Sequence, residues 1–108
     1  MIANLFRNLV APPSGETFEA LVQLGPVRIE RIASSTTPEP VLYDQPQDEW
    51  VVLLQGRARL WLDGAELELG PGDHVLIPAH KLHRVLETSA EPTCLWLAVH
   101  IARPASPT

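Results

Sequence analysis

Polar and apolar positions along this chain alternate in short runs, too brief for helices and well suited to strands. Val27-Arg28-Ile29-Glu30-Arg31-Ile32 alternates apolar with charged residues, the pattern of a half-buried strand. Glu49 to Leu54 places four aliphatics in a row after Trp50 and reads as a buried strand. Asp63-Gly64 is a favoured two-residue hairpin turn, because both central positions need φ > 0. Centring the hairpin there pairs Leu62 with Ala65, Trp61 with Glu66, Leu60 with Leu67 and Arg59 with Glu68. The apolar side chains then share one face, and Arg59 meets Glu68 on the other, an ion pair worth roughly 0.2–1 kcal/mol.

His74 to Pro78, His83 to Thr88 and Thr93 to Ile101 are further strands, and Ser89 to Pro92 turns the chain between the last two. Phe18 to Leu24 fits either a strand or a helical turn, and Gly25-Pro26 marks the turn after it. Val41 to Gln45 fits a short strand interrupted by Pro46. Residues 1–16 suit an arm with little regular structure, Ser34 to Pro40 an extended polar loop, and residues 102–108 a frayed tail. Eleven prolines and six glycines punctuate the chain, which favours strands over helices. About eight short strands at close spacing imply an all-β barrel or sandwich.

Length and composition narrow the setting. A chain of 108 residues fits one domain with a real core. Its 45% apolar and 19% charged content argues against wholesale disorder. A formal net charge of −5 repels phosphate backbones, so nucleic acid is not an expected partner. Cys94 is the single cysteine, which excludes an intrachain disulfide and cysteine-rich zinc motifs. Uninterrupted apolar stretches such as Trp50 to Leu54 are far short of a membrane span. The N-terminus lacks the pattern of a secretory signal, so a reducing cytoplasm is the expected location. Phosphate-cradling glycine loops, dinucleotide fingerprints and nucleophile elbows are absent.

Chemistry concentrates in two places. Glu49 opens an apolar strand that ends at Gly56; Gly70-Pro71-Gly72-Asp73 follows; then Pro78 leads to His80 and His83. This order resembles the two motifs of the cupin superfamily. The runs Tyr43-Asp44-Gln45, Glu49-Trp50-Val51, Pro78-Ala79-His80, His83-Arg84-Val85 and Trp96-Leu97-Ala98-Val99-His100 look like a group of short, single-domain cupins. The resemblance implies a single antiparallel jelly-roll barrel over 1–108, a homodimer paired through sheet edges, and a divalent metal at the barrel mouth.

The first motif usually begins with two histidines. Counting back from Glu49 with three intervening residues puts Tyr43 and Gln45 there; with four, Leu42 and Asp44. The first spacing is preferred because Tyr43, Gln45 and Glu49 then share strand parity. In the second motif His83 matches the expected histidine, and His80 stands where a glycine is usual. The resemblance therefore implies zinc, manganese, iron or nickel held by His83, Glu49 and Gln45 with His80. Glu49 or Tyr43 would move a proton, and Asp44 and His100 would line the pocket. A hairpin joining Thr88 to Thr93 would set His83 beside Ala98 and bring His100 to the same mouth. Isomerase, lyase or dioxygenase chemistry would follow; the alternative is a metal-free barrel that binds or senses a small ligand. Individual residues keep other readings: a buried Glu49 needs either a metal or a hydrogen-bonded, protonated state, and His80 can be a solvated turn residue. Cys94 reads as inert, and Trp50, Trp61 and Trp96 either line a pocket or pack core and dimer contacts.

Overall fold

The Asp63-Gly64 turn closes with the register its sequence dictates: Leu62 opposite Ala65, Leu60 opposite Leu67, Arg59 opposite Glu68. Asp63 and Gly64 both take positive φ, 46° and 91°, as a tight turn of this type demands. The computed structural model describes residues 2–104. The strands in chain order are β1 (Glu16–Leu24), β2 (Val27–Ser34), β3 (Asp48–Gln55), β4 (Ala58–Leu62), β5 (Ala65–Leu69), β6 (His74–Ile77), β7 (His83–Thr88) and β8 (Cys94–Ile101). They form a five-stranded sheet in the order β1-β2-β8-β3-β6 and a three-stranded sheet in the order β5-β4-β7.

All named pairings are antiparallel. The architecture is all-β, two facing antiparallel sheets consistent with a jelly roll. Among the described residues no strand belongs to both sheets, so hydrogen bonding does not run continuously around a closed barrel. Leu53, Ile77 and Trp96 from the larger sheet meet Leu60 and Leu69 from the smaller one in a single core. Each such large side chain contributes roughly 1.5–3 kcal/mol on burial.

Several expectations change. Residues 18–24 are strand, and β1 begins earlier, at Glu16. Val41 to Gln45 forms no strand; Tyr43 alone makes a β-bridge, to His83. The expected hairpin between the last two strands does not form, because β7 pairs with β4 while β8 runs between β2 and β3 in the other sheet. The short link over residues 89–93 crosses between layers as readily as it would reverse within one. Arg59 bonds Glu87 at 2.7 Å and approaches Glu66 at 3.5 Å, so its ionic partners are not the Glu68 that lies opposite it.

β2 is an interior strand, and the exposed edge beside it is β1. Glu30 of β2, expected outside by alternation, is turned inward and is only 5% exposed. The N-terminal segment is tied to this sheet by Arg31, whose guanidinium donates to the carbonyls of Leu5 and Arg7 and to Glu19. The tail expected over 102–108 falls mostly outside the described residues; at its start, Ala102 N–H donates to the Pro26 carbonyl and Arg103 binds Asp48.

Candidate functional site

Strand register brings the chemistry together. Glu49, at the start of β3, sits between His100 of β8 and Ile77 of β6, and residues opposite one another in a sheet share a face. That face looks across to His83 at the start of β7. Tyr43 and His83 exchange reciprocal backbone hydrogen bonds of 2.8 and 3.2 Å, and their rings stack 5.6 Å apart. The same irregular segment is fastened again where His80 N–H donates to the Gln45 carbonyl and Ala79 N–H to Asp48 Oδ1.

Between the sheets lies a cavity of about 80 Å³. Its polar lining is Glu16, Glu30, Tyr43, Gln45, Glu49, His83 and His100; its apolar lining includes Phe18, Ile32, Val51, Leu60, Ile77, Val85 and Trp96. Tyr43, Gln45, Glu49, His83 and His100 thus reach the same cavity. His100 arrives there on its own sheet, through its place opposite Glu49, and not beside His83 on a shared hairpin.

His80 and Asp44 do not line this cavity. They bond each other at 2.8 Å with most of both side chains in solvent. Two local causes account for it. Asp44 has the opposite parity to Tyr43 and Gln45. His80 holds φ of 64°, the left-handed conformation expected of the glycine it replaces.

Each buried polar group has a defined partner. Gln45 Nε2 donates to Glu49 Oε1 at 2.9 Å. His83 Nδ1 lies 3.0 Å from the Lys81 carbonyl, which only accepts, so Nδ1 carries a hydrogen and Nε2 is the ring nitrogen turned to the cavity. That Nε2 stands 4.0 Å from Glu49 Oε1, beyond direct hydrogen bonding. On the opposite wall His100 Nε2 donates to Glu30 Oε1 at 2.8 Å, while Gln47 Nε2 donates to His100 Nδ1 at 3.2 Å. At a third point Trp96 Nε1 donates to Ser34 Oγ at 2.9 Å, and Ser34 Oγ donates to Glu16 Oε2 at 2.6 Å.

Burial raises the Glu16 carboxyl above its ordinary value, opposed by the Ser34 hydrogen bond and reinforced by Glu49, Glu39 and Glu30. Burial likewise raises the Tyr43 phenol, with Glu16, Glu39 and Glu49 adding to the effect, so it keeps its proton. Cys94 is fully buried and its thiol is pushed up to about 12, foremost by burial, which leaves it chemically quiet.

A divalent ion at this point would need three or more good donors. Glu49 and His83 offer a carboxylate and an imidazole, and the His83 tautomer suits ligation. Gln45, however, turns its N–H2 toward Glu49, so a cation there would meet amide hydrogens. Among the described residues no group of three or more His, Cys, Asp or Glu side chains converges in ligating geometry. The donors do not fit a tightly held divalent ion. Of the expected ligands of zinc, manganese, iron or nickel, His83, Glu49 and Gln45 reach the cavity and His80 does not.

Glu16, Glu30 and Ser34 escape a reading of the sequence. Inward charged residues in an alternating strand carry no local signal, and the His100 that satisfies Glu30 is 70 residues away.

Known proteins resemble the chain most in fold. A protein from Ralstonia eutropha JMP134, provisionally designated a mannose-6-phosphate isomerase, is 36% identical, with 95% of this chain and 99% of that chain covered and a TM-score of 0.84. The TT1209 protein from Thermus thermophilus is 23% identical (95% and 98% covered, TM-score 0.81). A cupin superfamily protein from Desulfitobacterium hafniense DCB-2 is 22% identical (87% and 84% covered, TM-score 0.75), and at these identities the likeness is one of fold. Among curated proteins none matches the chain. The cupin domain family matches residues 29–100, a span that contains Glu49, His83 and every strand except β1 and the edges of β2 and β8, and the chain belongs to that family.

Proposed function

We propose that this cupin binds a small polar molecule between Glu49 and His83, and that these side chains act on it directly, without a resident metal. The observation that carries the reading is the 4.0 Å gap between His83 Nε2 and Glu49 Oε1. At that distance the two groups share no direct hydrogen bond. A hydroxyl or amine placed between them would satisfy both, at little structural cost.

Acid–base roles follow from the same geometry. Glu49 and the bare Nε2 of His83 are the bases; Tyr43, stacked on His83 and held protonated, is the hydrogen donor. A base and a donor flanking one small molecule suit proton transfer between neighbouring atoms, as in isomerisation of an α-hydroxy carbonyl compound. The designation of the 36%-identical Ralstonia protein as an isomerase supports that reaction class. Simple binding or sensing without turnover is the second reading, favoured by the small volume of the cavity.

Deuterium uptake from D2O into dihydroxyacetone, followed by NMR, tests the proposal. Uptake that persists in chelator and disappears in Glu49→Gln and His83→Ala supports isomerase-type proton transfer. A chelator-resistant rise in Tm with the same compound, but no uptake, supports binding alone. Uptake or stability that collapses on chelation contradicts the metal-free reading.

A homodimer and a reducing cytoplasm belong to the same proposal. The outer edge of β1 exposes Phe18, Leu21, Val22 and Leu24, and an uncovered edge of this kind invites pairing with a second copy. Sedimentation velocity that gives a monomer at micromolar concentration would rule the dimer out.

A further inference from the structure

The cavity's lining is unbalanced in charge and in hydrogen-bonding sense. Among the described residues it contains three carboxyl groups, Glu16, Glu30 and Glu49, and no lysine or arginine. The nearest cation is Arg28, 3.6 Å from Glu30, and Arg28 belongs to an outer groove rather than to the cavity.

Both imidazoles of the lining are engaged by the protein itself. His100 receives a hydrogen from Gln47 and gives one to Glu30; His83 gives its Nδ1 hydrogen to the Lys81 carbonyl. His100 is thus committed to Glu30, and the lining's three carboxyl groups outnumber its two imidazoles.

The free valences point the same way. Among the described residues His83 Nε2, on a side chain only 9% exposed, has no hydrogen-bond partner, and it faces a Glu49 carboxylate whose Oε1 already accepts from Gln45. The volume of about 80 Å³ corresponds to roughly five to eight water-sized positions.

From this lining we infer that the ligand is a small hydroxyl- or amine-bearing molecule, uncharged or cationic and rich in hydrogen-bond donors, hydroxycarbonyl compounds included, and that phosphate esters and carboxylates are excluded. The inference rests on the site proposed above and narrows its substrate class. It also separates this chain from the phosphorylated sugar in the Ralstonia protein's designation: the lining offers no cation to a phosphate.

Four ligands on one three-carbon skeleton test it: glycerol, 2-amino-1,3-propanediol, glycerate and glycerol 3-phosphate. Each is titrated into the intact 15N-labelled protein, following the Trp96 indole N–H, which lies on the cavity wall. The amino alcohol and glycerol are expected to shift that signal saturably. Glycerate should bind more weakly by on the order of a hundredfold, the effect of a like charge about 5 Å from Glu49 at an intermediate effective dielectric.

Glu49→Gln should bring glycerate to within about tenfold of glycerol; because the wild-type series already decides the order, a misfolded variant would not remove the test. Glycerate or glycerol 3-phosphate binding as tightly as glycerol overturns the substrate class and leaves the site itself standing. Silence of the Trp96 signal to all four at roughly 100-fold excess over protein, an order-of-magnitude span of weak affinities, overturns the inference together with the site.

Discussion

Removing one hydroxyl, in Ser34→Ala, probes the most interdependent part of the cavity wall. Ser34 is 2% exposed and stands between two partners: it accepts from the Trp96 indole and donates to Glu16. Alanine fits the space, so packing is nearly unchanged while both bonds vanish. Loss of the bond to Glu16 costs about 1 kcal/mol, and the stranded indole N–H of the 3%-exposed Trp96 costs about 1–3 kcal/mol more. The expected destabilisation is about 2–4 kcal/mol, read as a lower midpoint in urea with the slope unchanged.

A double-mutant cycle isolates the indole contribution. Trp96→Phe should cost about 1–2 kcal/mol less in the Ser34→Ala background than in wild type, because the stranded donor is then gone. The pH dependence supplies an independent check. Glu16 has a folded value raised above 4.5, so the fold holds that proton more tightly than the unfolded chain does. Its contribution is complete below pH 4.5 and is lost as pH rises through the folded value. Ser34→Ala removes the one interaction that opposes this rise and should widen the window; Glu16→Gln should abolish it. A Ser34→Ala midpoint within about 0.5 kcal/mol of wild type would refute the relay.

Other perturbations follow from local geometry. A methyl group at Gly56 would lie 2.7 Å from Ser89 Oγ and 2.9 Å from Cys94 Cα, at φ of 89°, whereas at Gly64 it would meet nothing within 4 Å. Gly56→Ala should therefore cost at least about 2 kcal/mol more than Gly64→Ala in denaturant melts, and equal costs would contradict the packing. Cys94 should resist alkylation in the native protein and react promptly once unfolded, with labelling followed by mass spectrometry. Glu87→Ala should lower stability by about 0.5 kcal/mol and lose salt dependence, while Glu68→Ala should leave Arg59 undisturbed and the midpoint unchanged.

Local signals in the sequence specify local structure well. The β4–β5 register follows from the Asp-Gly turn and from period-two alternation, and both are properties of neighbouring residues. The parity that groups Tyr43, Gln45 and Glu49 is also local, and all three reach the cavity. What needs distant partners is hidden. The Ser89–Pro92 link cannot say which sheet receives β8; that is decided by β2 and β3 on either side of it.

Glu30 looks like a surface residue until His100 is placed against it. His80 resembles a ligand by residue type, yet its backbone conformation turns the side chain out to Asp44. Residue identity announces the chemistry; the direction of each side chain comes from long-range pairing.

Whether a metal occupies the centre is best decided by anomalous scattering from crystals of protein purified without chelator, measured on both sides of the manganese, iron, nickel and zinc absorption edges. The account predicts that any density between Glu49 and His83 is light-atom density, with no anomalous signal at any edge. An anomalous peak about 2.0–2.2 Å from both a Glu49 oxygen and His83 Nε2 would contradict it.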